Sequence, residues 1–194
     1  TLEDKLEAIG VNVRKHGHLT LADMGTEKAV AFSGGFIDVV LEAGRSEFVK
    51  GLFLSGPTGV GKTQMAVCIA RQLMERRYSS GIVFTRARSL VTTIQDRYGT
   101  GTVDEYTDRL CSAGVLLIDD LGTEKPTADA FRILEDILDR REGHPTVLTS
   151  NLTPVGLAQG WADKEAVGRF RSRIGQQNYT QLVLDGVDRR FGRA

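Results

Sequence analysis

The amino-acid sequence predicts an α/β fold in which helices cover both faces of a parallel sheet. Two observations lead to this class. From residue 51 onward, short apolar segments alternate with segments whose apolar residues recur at helical spacing. The apolar segments are nearly continuous runs of Val, Ile, Leu and Phe, which is typical of strands buried on both faces and therefore of parallel sheets.

The first part of the chain is expected to be helical. Residues 1–45 are assigned to an N-terminal helical or linker segment, with a short helix over residues 2–9 and a second helix near residues 36–44. Residues 46–194 are assigned to the main domain. Its strands are expected in five segments: GLFLS (51–55), GIVFT (81–85), GVLLID (114–119), TVLTS (146–150) and YTQLVLD (179–185).

The segments between these strands predict helices. The clearest is residues 127–141, where Phe131, Leu134, Ile137 and Leu138 recur at helical spacing toward a core and charged residues occupy the other face. Helices are also expected over residues 62–77, 88–98 and 103–111. Short strands that alternate with helices in this way predict a five-stranded parallel sheet between helices.

Composition excludes several classes of protein. The 194 residues carry no net charge, which argues against a protein that coats nucleic acid through bulk electrostatics. The sequence has no apolar run long enough for a transmembrane helix, so we expect no membrane contact. Cys68 and Cys111 lack the CxxC spacing of zinc or redox sites and read as reduced thiols of a cytoplasmic protein.

A phosphate-binding loop is the most specific motif in the chain. The segment GPTGVGKT (56–63) fits the pattern GxxxxGK[ST] and lies between an apolar strand and a helix, as the mechanism of such loops requires. Its glycines let backbone N–H groups approach phosphate oxygens, and the helix adds its positive N-terminal end. The predicted ATP-binding residues are Gly56, Pro57, Thr58, Gly59, Val60, Gly61, Lys62, Thr63 and Gln64.

Two adjacent acids end the third strand and predict a magnesium and water site. Asp119 follows four apolar residues, as does the acid that holds Mg²⁺ in nucleoside triphosphatases, with the Thr63 hydroxyl as its partner on the metal. Asp120 is predicted to orient and deprotonate the water that attacks the γ-phosphate. The alternative for Asp120 is a plain capping or turn residue before Gly122.

A polar amide ends the fourth strand. Asn151 follows TVLTS, and in phosphate-loop ATPases with an additional strand between the loop strand and the Asp strand, this strand end faces the γ-phosphate. An amide there can hydrogen-bond the phosphate or the attacking water, which predicts a catalytic role. Taken alone, Ser150 and Asn151 would more often form a turn.

These motifs resemble the AAA+ ATPases and, within them, the DnaC/IstB-like group of bacterial replicative-helicase loaders and transposition helper ATPases. The resemblance covers about residues 18–190 and is carried by IDDLG (118–122), TSNLTP (149–154), RFRSRI (169–174) and LDGVDRR (184–190). It implies a P-loop NTPase of AAA+ type with strand order 5-1-4-3-2. Because only nine residues follow Asp185, the helical lid of a full AAA+ protein is expected to be absent or vestigial.

The resemblance also implies the function. We expect an ATPase with ATP and Mg²⁺ as cofactors that self-associates into an oligomer and loads a replicative helicase onto single-stranded DNA. The alternatives are a transposition helper, with a transposase as its partner, and a nucleotide-bound interaction module with little hydrolysis. Arg86 and Arg88, after the second strand, are candidates for contacting the single strand.

Three arginines gain roles through the same resemblance. RFRSRI is similar to the box that carries the arginine finger, the residue that reaches the γ-phosphate bound by a neighbouring subunit. Arg173 is the expected finger, with Arg169 as the second choice, because the two lie four residues apart on one helix face. The alternative is a solvated basic helix. Arg190 matches a terminal arginine of the group and is expected to contact the nucleotide of its own subunit.

Overall fold

The computed structural model describes residues 1–16, 20–21, 27–43, 47–124, 127–159 and 164–186 of the chain. Its strands are β1 (Gly51–Ser55), β2 (Ile82–Arg86), β3 (Val115–Leu121), β4 (Thr146–Ser150) and β5 (Tyr179–Val183). Its helices are α1 (Leu2–Ala8), α2 (Val13–His16), α3 (Glu27–Glu42), α4 (Lys62–Glu75), α5 (Ala87–Asp96), α6 (Val103–Cys111), α7 (Ala128–Arg140), α8 (Pro154–Gln159) and α9 (Lys164–Arg173).

The five strands form one parallel sheet in the order β2-β3-β4-β1-β5. This confirms the expected five-stranded parallel sheet and its 5-1-4-3-2 order. The order places β1 between β4 and β5, and β4 between β1 and β3. Because the carboxyl ends of parallel strands meet at one edge, the ends of β1, β3 and β4 lie side by side and form the candidate site.

Two apolar cores cover the two faces of the sheet. Successive strand residues alternate between them, so that Leu52 and Leu54 pack with α1, α3 and α4, whereas Phe53 packs with α5, α7 and α9. On α9, Phe170 contacts Phe131 of α7 with their ring centroids 5.5 Å apart. Burial on both faces explains why the strands are continuous apolar runs in the sequence.

The N-terminal residues contribute to the first of these cores. Leu6 and Val11 are buried in the same cluster as the strand residues of β1. The N–H of Phe84 in β2 donates to the carbonyl oxygen of Ile9 at 2.9 Å, which ties the end of α1 to the sheet. The boundary proposed at residue 46 stays a prediction, since residues 44–46 lie outside the described part of the chain.

The element boundaries differ from the sequence-based prediction in a few places. The helix expected near 36–44 begins nine residues earlier, at Glu27, and the short helices α2 and α8 were not predicted. Short helices give weak periodicity, so their pattern cannot be distinguished from turns in the sequence. None of the described helices is long and apolar enough to cross a membrane. The segment expected to hold a vestigial lid, after residue 186, lies outside the described residues.

Candidate nucleotide-binding and hydrolysis site

The predicted phosphate loop joins β1 to α4 and has the backbone geometry of an anion cradle. Gly56, Gly59 and Gly61 have φ angles of 144°, 88° and 102°, which favour glycine. A Cβ at Gly56 would lie 2.1 Å from the carbonyl oxygen of Leu184, so no other residue fits there without movement of the backbone that follows β5. Gly61 precedes α4 and supplies no side-chain cap. The first N–H groups of α4 are therefore available to an anion.

Lys62 lies inside this loop with its charge on backbone oxygens. Its Nζ donates to the carbonyl oxygens of Gly56 and Pro57, both at 2.7 Å, and the residue is 5% exposed. Burial lowers the pKa of Lys62, and the charges of Asp120 and Asp119 oppose that shift. A buried cation held by two carbonyl oxygens suits a transfer to phosphate oxygens, which bear full negative charge.

Asp119 is a buried carboxylate with one oxygen satisfied and one without a partner. Its Oδ1 accepts hydrogen bonds from the hydroxyls of Thr63, at 2.9 Å, and Thr149, at 2.6 Å. Its Oδ2 is buried and has no hydrogen-bond partner in the described part of the chain. Burial raises the pKa of Asp119, and the hydrogen bond from Thr149 is the largest opposing effect.

This arrangement fits a magnesium ion. Mg²⁺ prefers oxygen ligands and takes few of them from protein, and here a hydroxyl and a carboxylate oxygen meet beside the phosphate loop. The unpartnered Oδ2 of Asp119 is the kind of buried polar atom that a cation or its water shell would satisfy. Thr63 and Asp119 would hold the ion, which when bound neutralises charge on the phosphate groups.

Asp120 lies on a β-bulge. Ile118 pairs with Leu148, and Leu121 pairs with Ser150, so β3 has one more residue than β4 over the same span. Asp120 has a φ of 58°, which is uncommon for a non-glycine residue but tolerated by aspartate. Because the bulge interrupts the alternation of side chains, Asp120 is partly exposed directly after the buried Asp119.

Thr149 joins the two acids and was not identified from the sequence. The N–H of Asp120 donates to the Thr149 hydroxyl oxygen at 2.9 Å, while that hydroxyl donates to Asp119. One side chain of β4 thus contacts both the backbone of Asp120 and the carboxylate of Asp119. The signal in the sequence was a threonine within an apolar strand, but only the β3–β4 register shows what it contacts.

Asn151 follows β4 at the same edge of the sheet and is exposed. The residue before it holds the loop in place, because the Ser150 hydroxyl donates to the carbonyl oxygen of Leu121 at 2.6 Å and accepts from the N–H of Leu152 at 3.0 Å. The turn alternative is therefore partly correct, since Ser150 makes turn contacts. The catalytic role of Asn151 stays a prediction.

The arginines of α9 form ion pairs within their own subunit. Arg169 pairs with Glu135 at 2.8 Å, and Arg173 pairs with Asp139 and with Glu142, the latter at 3.0 Å. All three acids belong to α7 or the turn after it. The arginine-finger roles of Arg173 and Arg169 stay predictions.

For the other residues that are predicted to bind ATP, the structure gives only the exposure of their side chains, or no description. Of the remaining loop residues, Val60 is buried, whereas Pro57 and Thr58 are exposed and Gln64 is intermediate. Arg190 lies outside the described residues.

Two charged residues near the site add to the sequence-based prediction. Arg86 ends β2 opposite Asp119 in the register, and its charge weakly opposes the rise in the pKa of that carboxyl that burial causes. Glu124 follows the bulge and is 6% exposed, with Oε2 accepting the N–H of Gly122 at 2.9 Å and Oε1 without a partner in the described part of the chain. No sequence pattern marked Glu124 as buried, because it stands among turn residues.

Comparison with known proteins agrees with this geometry. The family described as "IstB-like ATP binding protein" matches residues 46–173. The replicative helicase loader DnaI of Bacillus subtilis is 36% identical over 73% of this chain and 48% of its own length. The insertion sequence IS1162 putative ATP-binding protein of Pseudomonas fluorescens is 33% identical over 52% of this chain and 43% of its own length. The chain thus spans less than half of these curated relatives.

Among solved structures, a crystal structure of DnaI superposes with a TM-score of 0.74 and 28% identity, covering 89% of this chain and 94% of that one. This agreement over most of both chains confirms the predicted P-loop fold of AAA+ type. By its fold, its phosphate loop and the match over residues 46–173, the chain belongs to the family of IstB-like ATP binding proteins.

Proposed function

We propose that this chain is an ATPase that loads a replicative helicase onto single-stranded DNA. The observation that carries hydrolysis is the hydrogen-bonded series Thr63–Asp119–Thr149–Asp120 beside the phosphate loop. It holds a metal-binding carboxylate and a second, more exposed carboxylate on consecutive residues. A module that only bound nucleotide would need the first carboxylate but not the second.

In the proposed ATP hydrolysis, each residue of the site has a separate role. Lys62 and the N–H groups of the loop bind the phosphates, and Thr63 and Asp119 hold Mg²⁺. Asp120 accepts a proton from the attacking water as the water oxygen bonds to the γ-phosphorus and the bond to the β–γ bridging oxygen breaks. Asn151 orients that water or the γ-phosphate. Arg173 of a neighbouring subunit contacts the γ-phosphate, so each complete site needs two subunits.

The proposed partner is a replicative helicase, with a transposase as the second candidate. The Bacillus subtilis relative is by its name a replicative helicase loader, which supports a helicase as partner. The second candidate is a transposition helper, favoured by the family match and by the insertion-sequence relative. We propose Arg86 and Arg88 as contacts to single-stranded DNA, since both are exposed where β2 passes into α5, beside the nucleotide edge of the sheet.

The test is ATP turnover with and without single-stranded DNA, followed by binding to purified replicative helicase and to transposase. Turnover stimulated by DNA together with helicase binding supports the loader. Binding to transposase alone supports the transposition helper. ATP binding without turnover at any protein concentration supports the interaction module.

Asp120→Asn provides the sharpest test of hydrolysis. Asparagine adopts positive φ as readily as aspartate, so the bulge should persist, but an amide cannot accept the water's proton. We expect unchanged ATP affinity and turnover lower by about 10²–10⁴-fold. Asp104→Asn, an exposed aspartate at the start of α6, is the control for the loss of one carboxylate. Turnover equal to that of the parent would return Asp120 to a turn role.

A further inference from the structure

The face of α7 that meets α9 carries an acidic stripe. Glu135, Asp139 and Glu142 follow one another at spacings of four and three residues, which places them on one side of the helix and the turn after it. Opposite them, α9 presents Arg169 and Arg173. Glu135 pairs with Arg169, and the other two acids share Arg173. The two arginines with candidate roles in a neighbour's site are therefore both paired within their own subunit.

Arg173 is over-neutralised by these contacts. One guanidinium faces two carboxylates, so the group as a whole carries one negative charge. A triphosphate is strongly anionic and would be repelled by that group as it stands. Arg173 can stabilise a phosphate of another subunit only after at least one carboxylate has been exchanged for phosphate oxygens.

The backbone of Arg173 is fixed, so this exchange requires only side-chain rotation. The Asn178 side-chain amide donates to the carbonyl oxygen of Arg173 at 3.2 Å, and the Asn178 carbonyl oxygen accepts the N–H of Gly51 at 2.8 Å. The end of α9 is thereby tied to the start of β1. The side chain of Arg173 has several rotatable bonds and is 35% exposed.

We propose that Asp139 and Glu142 restrain Arg173 within its own subunit until a neighbour's nucleotide displaces them. This inference rests on the proposed role of Arg173 in trans. It identifies the two acids as restraining residues that lower the activity of the unassembled protein. The restraint is weak enough to be displaced, because all three side chains are partly exposed and exposed ion pairs are screened by water and salt.

The restraint is tested by Asp139→Asn and Glu142→Gln, singly and together, with ATP turnover measured across a range of protein concentrations. We expect each substitution to raise turnover at low protein concentration by about two- to fivefold, the range that one exposed ion pair gives. The gain should shrink as salt is raised, because salt weakens the restraint in the parent. Nucleotide affinity of the isolated subunit should not change.

Two control variants separate the restraint from a general effect of charge. Asp108→Asn removes a carboxylate of α6 that pairs with Arg140 of α7, and Glu135→Gln removes the acid that pairs with Arg169. Both should match the parent if Arg173 is the restrained residue. A gain with either control as large as with Glu142→Gln would overturn the assignment to Arg173.

The background variant Arg173→Ala distinguishes failure of the restraint from failure of the proposed function. If Arg173→Ala lowers turnover and abolishes the gain from the acid variants, the restraint is supported. If Arg173→Ala does not lower turnover in the parent, the trans role and the restraint both fail. If it lowers turnover but the double acid variant stays at or below the parent, only the restraint fails.

Discussion

The Lys62 ammonium group donates hydrogen bonds to two neutral carbonyl oxygens of the loop. An ion pair with a carboxylate would hold the ammonium group more tightly. A cation held in this way is pre-positioned, and its desolvation cost is already met in the folded protein. Phosphate oxygens can therefore replace the carbonyl oxygens with a gain from charge-assisted hydrogen bonds. The same contacts orient the loop in the absence of nucleotide.

Lys62→Ala should weaken ATP binding by at least about 10–100-fold, since it removes hydrogen bonds from a charged donor to the phosphates. Binding of a fluorescent ATP analogue measures this directly. The control is Lys50→Ala, which removes an exposed lysine whose Nζ contacts only the backbone of Gln176 among the described residues. ATP affinity equal to that of the parent would contradict the phosphate-loop assignment.

Glu124 gives a pH-dependent contribution to stability. Burial raises the pKa of this carboxyl above its ordinary value of 4.5, so the folded state holds the proton more tightly than the unfolded state does. The stability it contributes is fully present below about pH 4.5 and is lost as pH rises through the folded-state pKa.

Glu124→Gln should remove that loss, because an amide does not ionise. As pH rises from about 5 to about 7, the free energy of unfolding of the variant should therefore increase relative to that of the parent, as measured by urea denaturation at both values. Glu105→Gln, an exposed glutamate of α6, is the control for the loss of one carboxylate. A difference between Glu124→Gln and the parent that does not change with pH would show that Glu124 is not protonated on folding.

At the scale of secondary-structure elements, Arg141 holds three of them together. It is 1% exposed, and burial lowers its pKa to about 10. Its guanidinium donates to five oxygens at the end of α6 and the starts of β3 and β4: those of Leu110, Cys111, Ala113, Pro145 and the Thr146 hydroxyl. Four of the five are backbone carbonyl oxygens, and those of Leu110 and Cys111 belong to the last turn of α6, where carbonyl groups lack partners within the helix.

Arg141→Lys should destabilise the protein by about 2–4 kcal/mol, because an ammonium has three donors and cannot satisfy all five oxygens. Thermal or urea unfolding measures the loss. The neighbouring Arg140→Lys is the matched control, since Arg140 is exposed and its substitution should cost less than about 0.5 kcal/mol. Equal stability of the two variants would exclude a structural role for the Arg141 contacts.

The elements also show which features can be predicted from sequence. The strands and their order were predicted correctly, because each strand depends on residues that are adjacent in the chain. The motifs of the phosphate loop and the acidic pair are also local in sequence, and their roles stay predictions. Thr149, Arg141 and Glu124 were missed because their roles depend on contacts made after folding, such as the bulge that aligns Thr149 with both acids. Polar residues in apolar surroundings mark such positions, but their partners are set by the register of the sheet.

At the scale of the whole molecule, assembly is the main consequence of the proposed function. If Arg173 serves a neighbouring site, Arg173→Ala should leave the ATP affinity of an isolated subunit unchanged and lower turnover by about 10³–10⁵-fold. Mixing this variant with Lys62→Ala subunits, which keep their own Arg173, should restore turnover at mixed interfaces. Steady-state ATPase assays of the mixtures measure this.

The concentration dependence provides the control for that experiment. Because two subunits build each site, parent turnover should rise faster than linearly with protein concentration until assembly is complete. Strict proportionality in a range where the protein is monomeric, with no rescue on mixing, would assign Arg173 to the surface of a basic helix.

The order of the strands also constrains how the chain folds during synthesis. β1 carries the phosphate loop, yet both of its neighbours, β4 and β5, lie about a hundred residues or more further along the chain. By contrast, β2 pairs with β3 and β3 pairs with β4, so each of these pairs is adjacent both in sequence and in the sheet. During synthesis on the ribosome, β1 therefore has no strand to pair with until β4 emerges. Its apolar side chains are exposed to solvent during that time, which favours aggregation. The strand that leads into the phosphate loop is therefore synthesised before either of the strands that pair with it.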